Sequence, residues 1–142
     1  MNYLLDTCVI SELVARQPNR KVIAWIDSVD EVRLYLSVIT IGEIQKGITK
    51  LEDSQRKAVL QEWLTDQLLV RFAERIATID TGVMLRWGQL VGALEAAGLT
   101  MSAIDSLIAA LALYGHFTLV TRNEDDFKNT GVPILNPWSY NL

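Results

Sequence analysis

The chain has 142 residues, half of them apolar, and a formal net charge of −4. This length and apolar content predict one folded domain, residues 1–142, and argue against a disordered chain. The negative charge disfavours attraction of nucleic acid by the whole molecule, so such binding would need a local basic cluster or bound cations.

The composition also indicates where the protein acts. Cys8 is the only cysteine, so no internal disulfide can form, and a reducing cytoplasmic setting fits. No apolar run approaches the roughly 18 residues of a membrane span. The N-terminal residues lack the basic lead and cleavage site of a signal peptide. We therefore expect a cytoplasmic protein with no membrane segment.

Short apolar segments alternate with helical ones along the chain. The first is a strand, Tyr3 to Leu5, which ends at Asp6. Further strands are predicted at 33–36, 76–79, 117–120 and about 132–135, and further helices at 20–28, 38–49, 54–72, 81–97 and 103–114. Strands separated by helices pair in parallel through right-handed crossovers. The sequence therefore predicts an α/β fold, a three-layer α/β/α sandwich with a mostly parallel central sheet.

The predicted helix 54–72 has an apolar stripe broader than a solvent-facing helix needs. The stripe consists of Ala58, Val59, Leu60, Trp63, Leu64, Leu68 and Leu69. If the stripe is exposed, it would provide a surface for a homodimer or a groove for a partner protein.

Four acidic residues are predicted to meet at one edge of the sheet. Asp6 ends the first strand, and Glu43 lies about one and a half turns into the helix after the second strand. Asp105 lies in the first turn of helix 103–114, where the helix dipole favours a carboxylate, and Asp126 follows the fourth strand after a loop. In open parallel sheets, ligands bind at the carboxyl ends of the strands. We expect these four side chains to share that edge.

Such a cluster of carboxylates is unstable by itself, because like charges raise one another's pKa. A divalent cation removes this conflict, and oxygen ligands select magnesium or manganese over softer metals. One or two such ions with open coordination positions can activate water and neutralise charge on a phosphodiester. This chemistry needs no histidine, and the single His116 is not expected to act as a general base.

Four sequence blocks support a family resemblance that covers essentially the whole chain. They are LLDTCVISEL, ITIGEIQKGI, MSAIDSLIAALAL and LVTRNEDDF, the last followed by TGVPILNPW. In this order the blocks resemble PIN-domain ribonucleases of the bacterial VapC toxin type. The resemblance implies a three-layer sandwich, cleavage of RNA with Mg²⁺ or Mn²⁺, and a cognate antitoxin that blocks the site. It also implies that Asp6, Glu43, Asp105 and Asp126 bind the metal.

The sequence departs from the family pattern in two places. The last family block has Thr-Arg-Asn, then two residues, then Asp-Phe, and this spacing selects Asp126 while the adjacent Asp125 remains an alternative. The usual proline near Asp105 is absent, which affects the start of the helix more than the chemistry.

Three other classes of protein are alternatives to this family. A receiver-like phosphorelay module needs a lysine after a late strand, where Arg122 stands. A haloacid-dehalogenase-type phosphatase needs an aspartate two residues after Asp6, where Cys8 stands. A third alternative is a catalytically silent PIN-like module, which binds a metal and acts through protein partners.

Basic and hydroxyl side chains near the acids have two interpretations. Lys46 and Lys50 follow Glu43 on one helix face, and Arg122 and Lys128 flank Asp126. Each could be a solvated surface residue, but together they could hold an RNA backbone. Thr7 and Thr121 could bond to the backbone or could orient groups at the site.

Overall fold

The computed structural model describes residues 1–142 and has a five-stranded sheet at its centre. The strands are β1 (Asn2–Leu5), β2 (Leu34–Ser37), β3 (Ile76–Ala77), β4 (Phe117–Val120) and β5 (Ile134–Leu135). Their spatial order is β3-β2-β1-β4-β5, and every neighbouring pair is parallel. The predicted parallel sheet is confirmed.

Helices connect the strands. They are α1 (Thr7–Glu12), α2 (Arg20–Ser28), α3 (Val38–Thr49), α4 (Gln55–Glu62), α5 (Leu69–Arg71), α6 (Thr81–Ala96), α7 (Ala103–Tyr114) and α8 (Glu124–Phe127). A π-helical segment, Trp63–Leu68, joins α4 to α5. None of the helices combines the length and apolar character needed to cross a membrane.

Polar side chains determine where most of the longer helices begin. At each of these starts a side-chain oxygen of the preceding residue accepts backbone N–H groups of the first turn, which have no partner within the helix. The capping residues are Asn19, Ser37, Ser54, Asp80 and Ser102. The predicted bounds of α2, α3 and α7 are confirmed.

The sheet separates two hydrophobic layers, because successive side chains of a strand point to opposite faces. Leu4 and Leu119 pack in one layer with α6 and α7. Leu5 and Val120 pack in the other layer with α1, α2 and the π-helical segment. Helices therefore cover both faces, which confirms the predicted three-layer sandwich.

The structure corrects several predicted boundaries. Arg33 lies in a 3-10 turn capped by Asp30, so β2 begins one residue later than predicted. The strand predicted at 76–79 has only two residues. Asp126 lies in the one-turn helix α8 rather than in a loop. At Arg33 a hydrogen-bonded turn takes a residue that the apolar pattern had assigned to the strand.

The predicted apolar stripe on residues 54–72 is largely internal. Leu64 and Leu68 are buried in the core of this chain beside Phe72, whereas Ala58 and Val59 at its start are exposed. The stripe as a whole is therefore not an exposed surface for a partner.

A core substitution tests the packing of β4 against the helices. Leu119 is fully buried in this strand, and Leu119→Ala leaves a cavity between sheet and helices. We expect it to lower the free energy of unfolding by about 2–5 kcal/mol, measured by urea unfolding. The control, Leu85→Ala on α6, removes a side chain that is 66% exposed and should change stability by less than about 0.5 kcal/mol. Equal losses would contradict the described core.

Candidate metal centre

The carboxyl ends of β1 and β4 form the point at which the strand order reverses. From β1 the chain continues to β2 on one side of the sheet, whereas β4 continues to β5 on the other side. Such a reversal opens a crevice where ligands of α/β proteins bind. Asp6 follows β1 directly, and its backbone N–H donates to the carbonyl of Val120 at 2.9 Å. Asp6 therefore lies at this crevice.

Two hydrogen bonds hold the Asp6 carboxylate, which is 7% exposed. Its Oδ1 accepts the backbone N–H of Thr7 at 2.9 Å, and its Oδ2 accepts the hydroxyl of Thr121 at 2.8 Å. The Thr121 hydroxyl also accepts the backbone N–H of Asn123 at 3.0 Å. The Thr121 hydroxyl therefore has both roles that the sequence suggested, since it bonds to the backbone and also orients the Asp6 carboxylate.

Glu43 reaches the same crevice from α3. Its Oε1 accepts the hydroxyl of Thr7 at 2.6 Å. The Thr7 oxygen also lies 3.1 Å from the hydroxyl oxygen of Thr40, whose backbone N–H donates to Ser37 at 3.0 Å. Thr40 was not among the residues that the sequence predicted for the site. The signal for it was a hydroxyl residue one turn before Glu43 on an otherwise apolar stretch of helix.

Asp105 and Asp126 approach from α7 and α8. The α7 helix leads into the amino end of β4, so its first turn lies at the carboxyl edge of the sheet. There the half-buried Asp105 donates its backbone N–H to the Ser102 hydroxyl at 3.2 Å. Asp105, Asp126 and the neighbouring Asp125 line one cleft of about 340 Å³.

The carboxylates act on one another electrostatically. Burial raises the pKa of Asp6, the bonds from Thr121 and Thr7 oppose this rise, and the charges of Glu43 and Asp105 add to it. Burial also raises the pKa of Asp105, its bond with Ser102 opposes the rise, and the charges of Asp126 and Glu43 add to it. Asp126, rather than Asp125, is the residue of that pair whose charge acts on Asp105.

We call Asp6, Glu43, Asp105 and Asp126 the acidic edge. The ion pairs of the structure join Lys57 to Asp53 and two arginines to Glu31, so none neutralises the acidic edge. No three acidic, histidine or cysteine side chains are close enough to surround an ion. The four acids share an electrostatic environment without forming a closed coordination shell. Carboxylate oxygens that have no basic partner are donors that suit a hard divalent cation.

His116 lies away from the acidic edge. It follows the C-terminus of α7 and precedes β4, which puts it at the amino edge of the sheet, in a left-handed conformation with φ of 56°. The acids and this histidine therefore lie at opposite edges.

Comparisons with known proteins cover nearly the whole chain. A family model described as PIN domain matches residues 3–133. The plasmid stability protein StbB of Pseudomonas syringae pv. tomato is 40% identical, over 95% of this chain and 97% of the relative. The VapC ribonuclease Y4jK of Sinorhizobium fredii is 34% identical, over 95% and 96%.

A third relative and a solved structure come from the same organism. The toxin FitB of Neisseria gonorrhoeae is 38% identical, over 95% of this chain and 97% of the relative. The crystal structure of FitAcB from the same organism superimposes with a TM-score of 0.91 at 38% identity, over 96% of this chain and 99% of the other.

The Thr121 hydroxyl provides the first test of the site. Thr121→Val keeps the side-chain shape but removes the hydrogen bond to a buried carboxylate. We expect a loss of about 1.5–3 kcal/mol in the free energy of unfolding, the usual range for a bond to a charged group. Thr118→Val, within β4 and three residues before Thr121, is the matched control. Thr118 makes no side-chain hydrogen bond, so its substitution should change stability much less. Equal effects in urea unfolding would contradict the role of Thr121.

The pH dependence of stability provides the second test. The pKa of Asp6 is raised above its ordinary value of 3.8, so the folded chain binds this proton more tightly than the unfolded chain. The contribution of Asp6 to the free energy of unfolding should therefore fall as the pH rises from about 3.8 through the raised value. In metal-free buffer, Asp6→Asn should be more stable than the parent at neutral pH.

Urea unfolding from acidic to neutral pH measures this difference. The control is Asp66→Asn, which removes one carboxyl group at an exposed residue. An Asp6→Asn variant that is less stable than the parent at neutral pH would contradict the assigned cause, which is burial of a charge.

Proposed function

The chain belongs to the PIN-domain family, and from this premise we propose that it is a metal-dependent endoribonuclease, the toxin of a toxin–antitoxin pair. One observation supports this most. The buried carboxylate of Asp6 lies at the reversal point of the sheet, within electrostatic reach of Glu43 and Asp105 and without a basic partner. The names of two relatives, a toxin and a VapC ribonuclease, support the same reaction class.

The proposed ligands of the metal are Asp6, Glu43, Asp105 and Asp126, with one or two ions of Mg²⁺ or Mn²⁺. Their oxygens suit a hard divalent cation, and their mutual repulsion favours one. When bound, the metal supplies Lewis acidity, which favours deprotonation of water and offsets negative charge on a phosphodiester.

The residues of the chain keep the acids in position for this chemistry. Thr121 and the amide of Thr7 fix the Asp6 carboxylate, and the Thr7 hydroxyl fixes Glu43. Each bond orients a ligand before substrate arrives, which lowers the cost of assembling the site. No side chain acts as the nucleophile. In the proposed reaction water attacks the scissile phosphorus in line, loses a proton, and the bond from phosphorus to the 3′ oxygen breaks. The 3′ oxygen takes up a proton, so the products are a 5′-phosphate and a 3′-hydroxyl.

We propose a cognate antitoxin that covers the acidic edge, assembly as a homodimer, and action in the cytoplasm on RNA. The proposed RNA substrate needs basic contacts beside the acidic edge, because the whole chain is negatively charged.

Substitution of the acids tests the reaction. Asp6→Asn and Asp105→Asn should each fold and lower Mg²⁺-dependent cleavage of single-stranded RNA by more than about 100-fold, beyond the 10–100-fold loss of a residue that only orients a ligand. Chelator should abolish cleavage by the parent chain, and Mn²⁺ should restore it. Gel analysis of the products and mapping of their 5′ ends provide the measurements.

Two further variants sharpen this experiment. Asp126→Asn should lose cleavage, whereas Asp125→Asn should keep most of it, because Asp126 is the residue that acts on Asp105. Asp66→Asn controls for the loss of one exposed acid. Cleavage at the parental rate by Asp6→Asn, or cleavage that persists in chelator, would contradict the proposed reaction.

A further inference from the structure

The open cleft along α3 differs in charge from the other clefts at the acidic edge. It has a volume of about 440 Å³ and is lined by Ile39, Gly42, Glu43, Lys46, Gly47, Lys50 and Ile104. Glu43 is its only acid. The two clefts beside α8 contain Asp125 and Asp126 in their linings, and only one of them includes a basic residue, Arg122. Among these clefts, the one along α3 has the highest share of positive charge.

Lys46 and Lys50 are available to a ligand. Both are exposed, and neither takes part in an ion pair or a side-chain hydrogen bond of the structure. They lie four residues apart on α3 and at its end, so their positions differ by one helical turn, about 6 Å along the axis. Glu43 precedes them on the same face. A row of positive charge therefore leads from the acidic edge toward the end of α3.

The remaining walls of the cleft are apolar or lack side chains. Ile104 is 43% exposed beside it. Gly42 and Gly47 have open space where a Cβ atom would lie. A glycine within a helix lowers stability relative to alanine, and no neighbouring atom requires either glycine. Because Gly42 and Gly47 have no side chains, an extended polymer can approach the backbone of α3 at these two positions.

We propose that this cleft, here called the α3 cleft, binds the phosphate backbone of the RNA substrate on one side of the scissile bond, with Lys46 and Lys50 contacting successive phosphates. The inference rests on the proposed function, because it takes Glu43 as a ligand at the reaction centre. No aromatic side chain lines the cleft for base stacking. Its contribution to affinity should therefore be nearly independent of RNA sequence.

The path of the substrate follows from the distribution of charge. A strand that leaves the acidic edge along α8 would pass Asp125 and Asp126, whose charges repel phosphates. A strand that leaves along α3 meets two free ammonium groups. The α3 cleft thus determines the side on which one flank of the RNA lies.

Binding of a labelled single-stranded polyuridine RNA tests the inference. The measurements use the Asp6→Asn background, in which we expect the RNA to stay intact. Lys46→Gln with Lys50→Gln should weaken binding by roughly tenfold at physiological salt and reduce the slope of log affinity against log salt by about 1.4, or 0.7 per phosphate contact on a single strand. The matched control is Lys21→Gln with Arg33→Gln. This pair is also exposed and without side-chain partners, and Arg33 precedes the amino end of β2.

A second variant checks the shape of the cleft. Gly42→Leu adds a side chain that extends into the α3 cleft. The substitution should not lower the melting temperature, because leucine favours helices, and it should weaken RNA binding.

The double lysine variant also provides a kinetic test in a chain that keeps Asp6. It should raise KM for RNA cleavage and leave kcat nearly unchanged.

Four outcomes would overturn the inference. The first two are an equal loss of RNA affinity in the Lys21→Gln, Arg33→Gln control, and a salt dependence of RNA binding that the Lys46→Gln, Lys50→Gln variant leaves unchanged. The third is unchanged RNA binding by Gly42→Leu. The fourth is a double lysine variant that loses binding to an acidic peptide but keeps its RNA binding. A failure of the proposed function has a different signature. In that case Asp6→Asn would cleave RNA at the parental rate, whatever the lysine variants show.

Discussion

The site depends on the burial of one carboxylate between the two strands where the sheet order reverses. Removing the Asp6 charge from water costs free energy, and the bonds from Thr121 and the Thr7 amide offset only part of this cost. Glu43 and Asp105 add repulsion. The folded chain therefore concentrates negative charge that its own basic residues do not neutralise. This unrelieved charge is the physical basis for proposing a divalent cation at this edge.

Helix α3 contributes to both parts of the proposed reaction. Near its middle it holds Glu43, which the Thr7 hydroxyl orients, and at its end it presents Lys46 and Lys50 to solvent. Opposite charges on one helix face are thereby separated by about one turn. In the proposed arrangement a cation and a polyanion bind side by side. The net charge of the chain conceals this separation, since it reports only the sum.

Local features of the sequence predicted most of the secondary structure. Asn19 and Ser37 begin helices because their side chains bond to the first-turn amides, and such bonds involve neighbouring residues only. The predicted start of β2 at Arg33 was wrong, because a turn capped by Asp30 includes that residue. The predicted loop at Asp126 is a one-turn helix. At the site, the sequence selected the four acids but could not predict the bond that Thr121 donates to Asp6.

The sequence alone determined which segments are strands and helices, that the sheet is parallel, and which acids follow the strands, because periodicity, caps and turns depend on neighbouring residues. The tertiary structure decided that β1 lies beside β4, so that Asp6 and Thr121, 115 residues apart, form a hydrogen bond. It also decided that Thr7 bonds to Glu43 and that the lysines of α3 remain unpaired. These features depend on how the layers pack, and packing brings together residues whose spacing along the chain has no regular pattern.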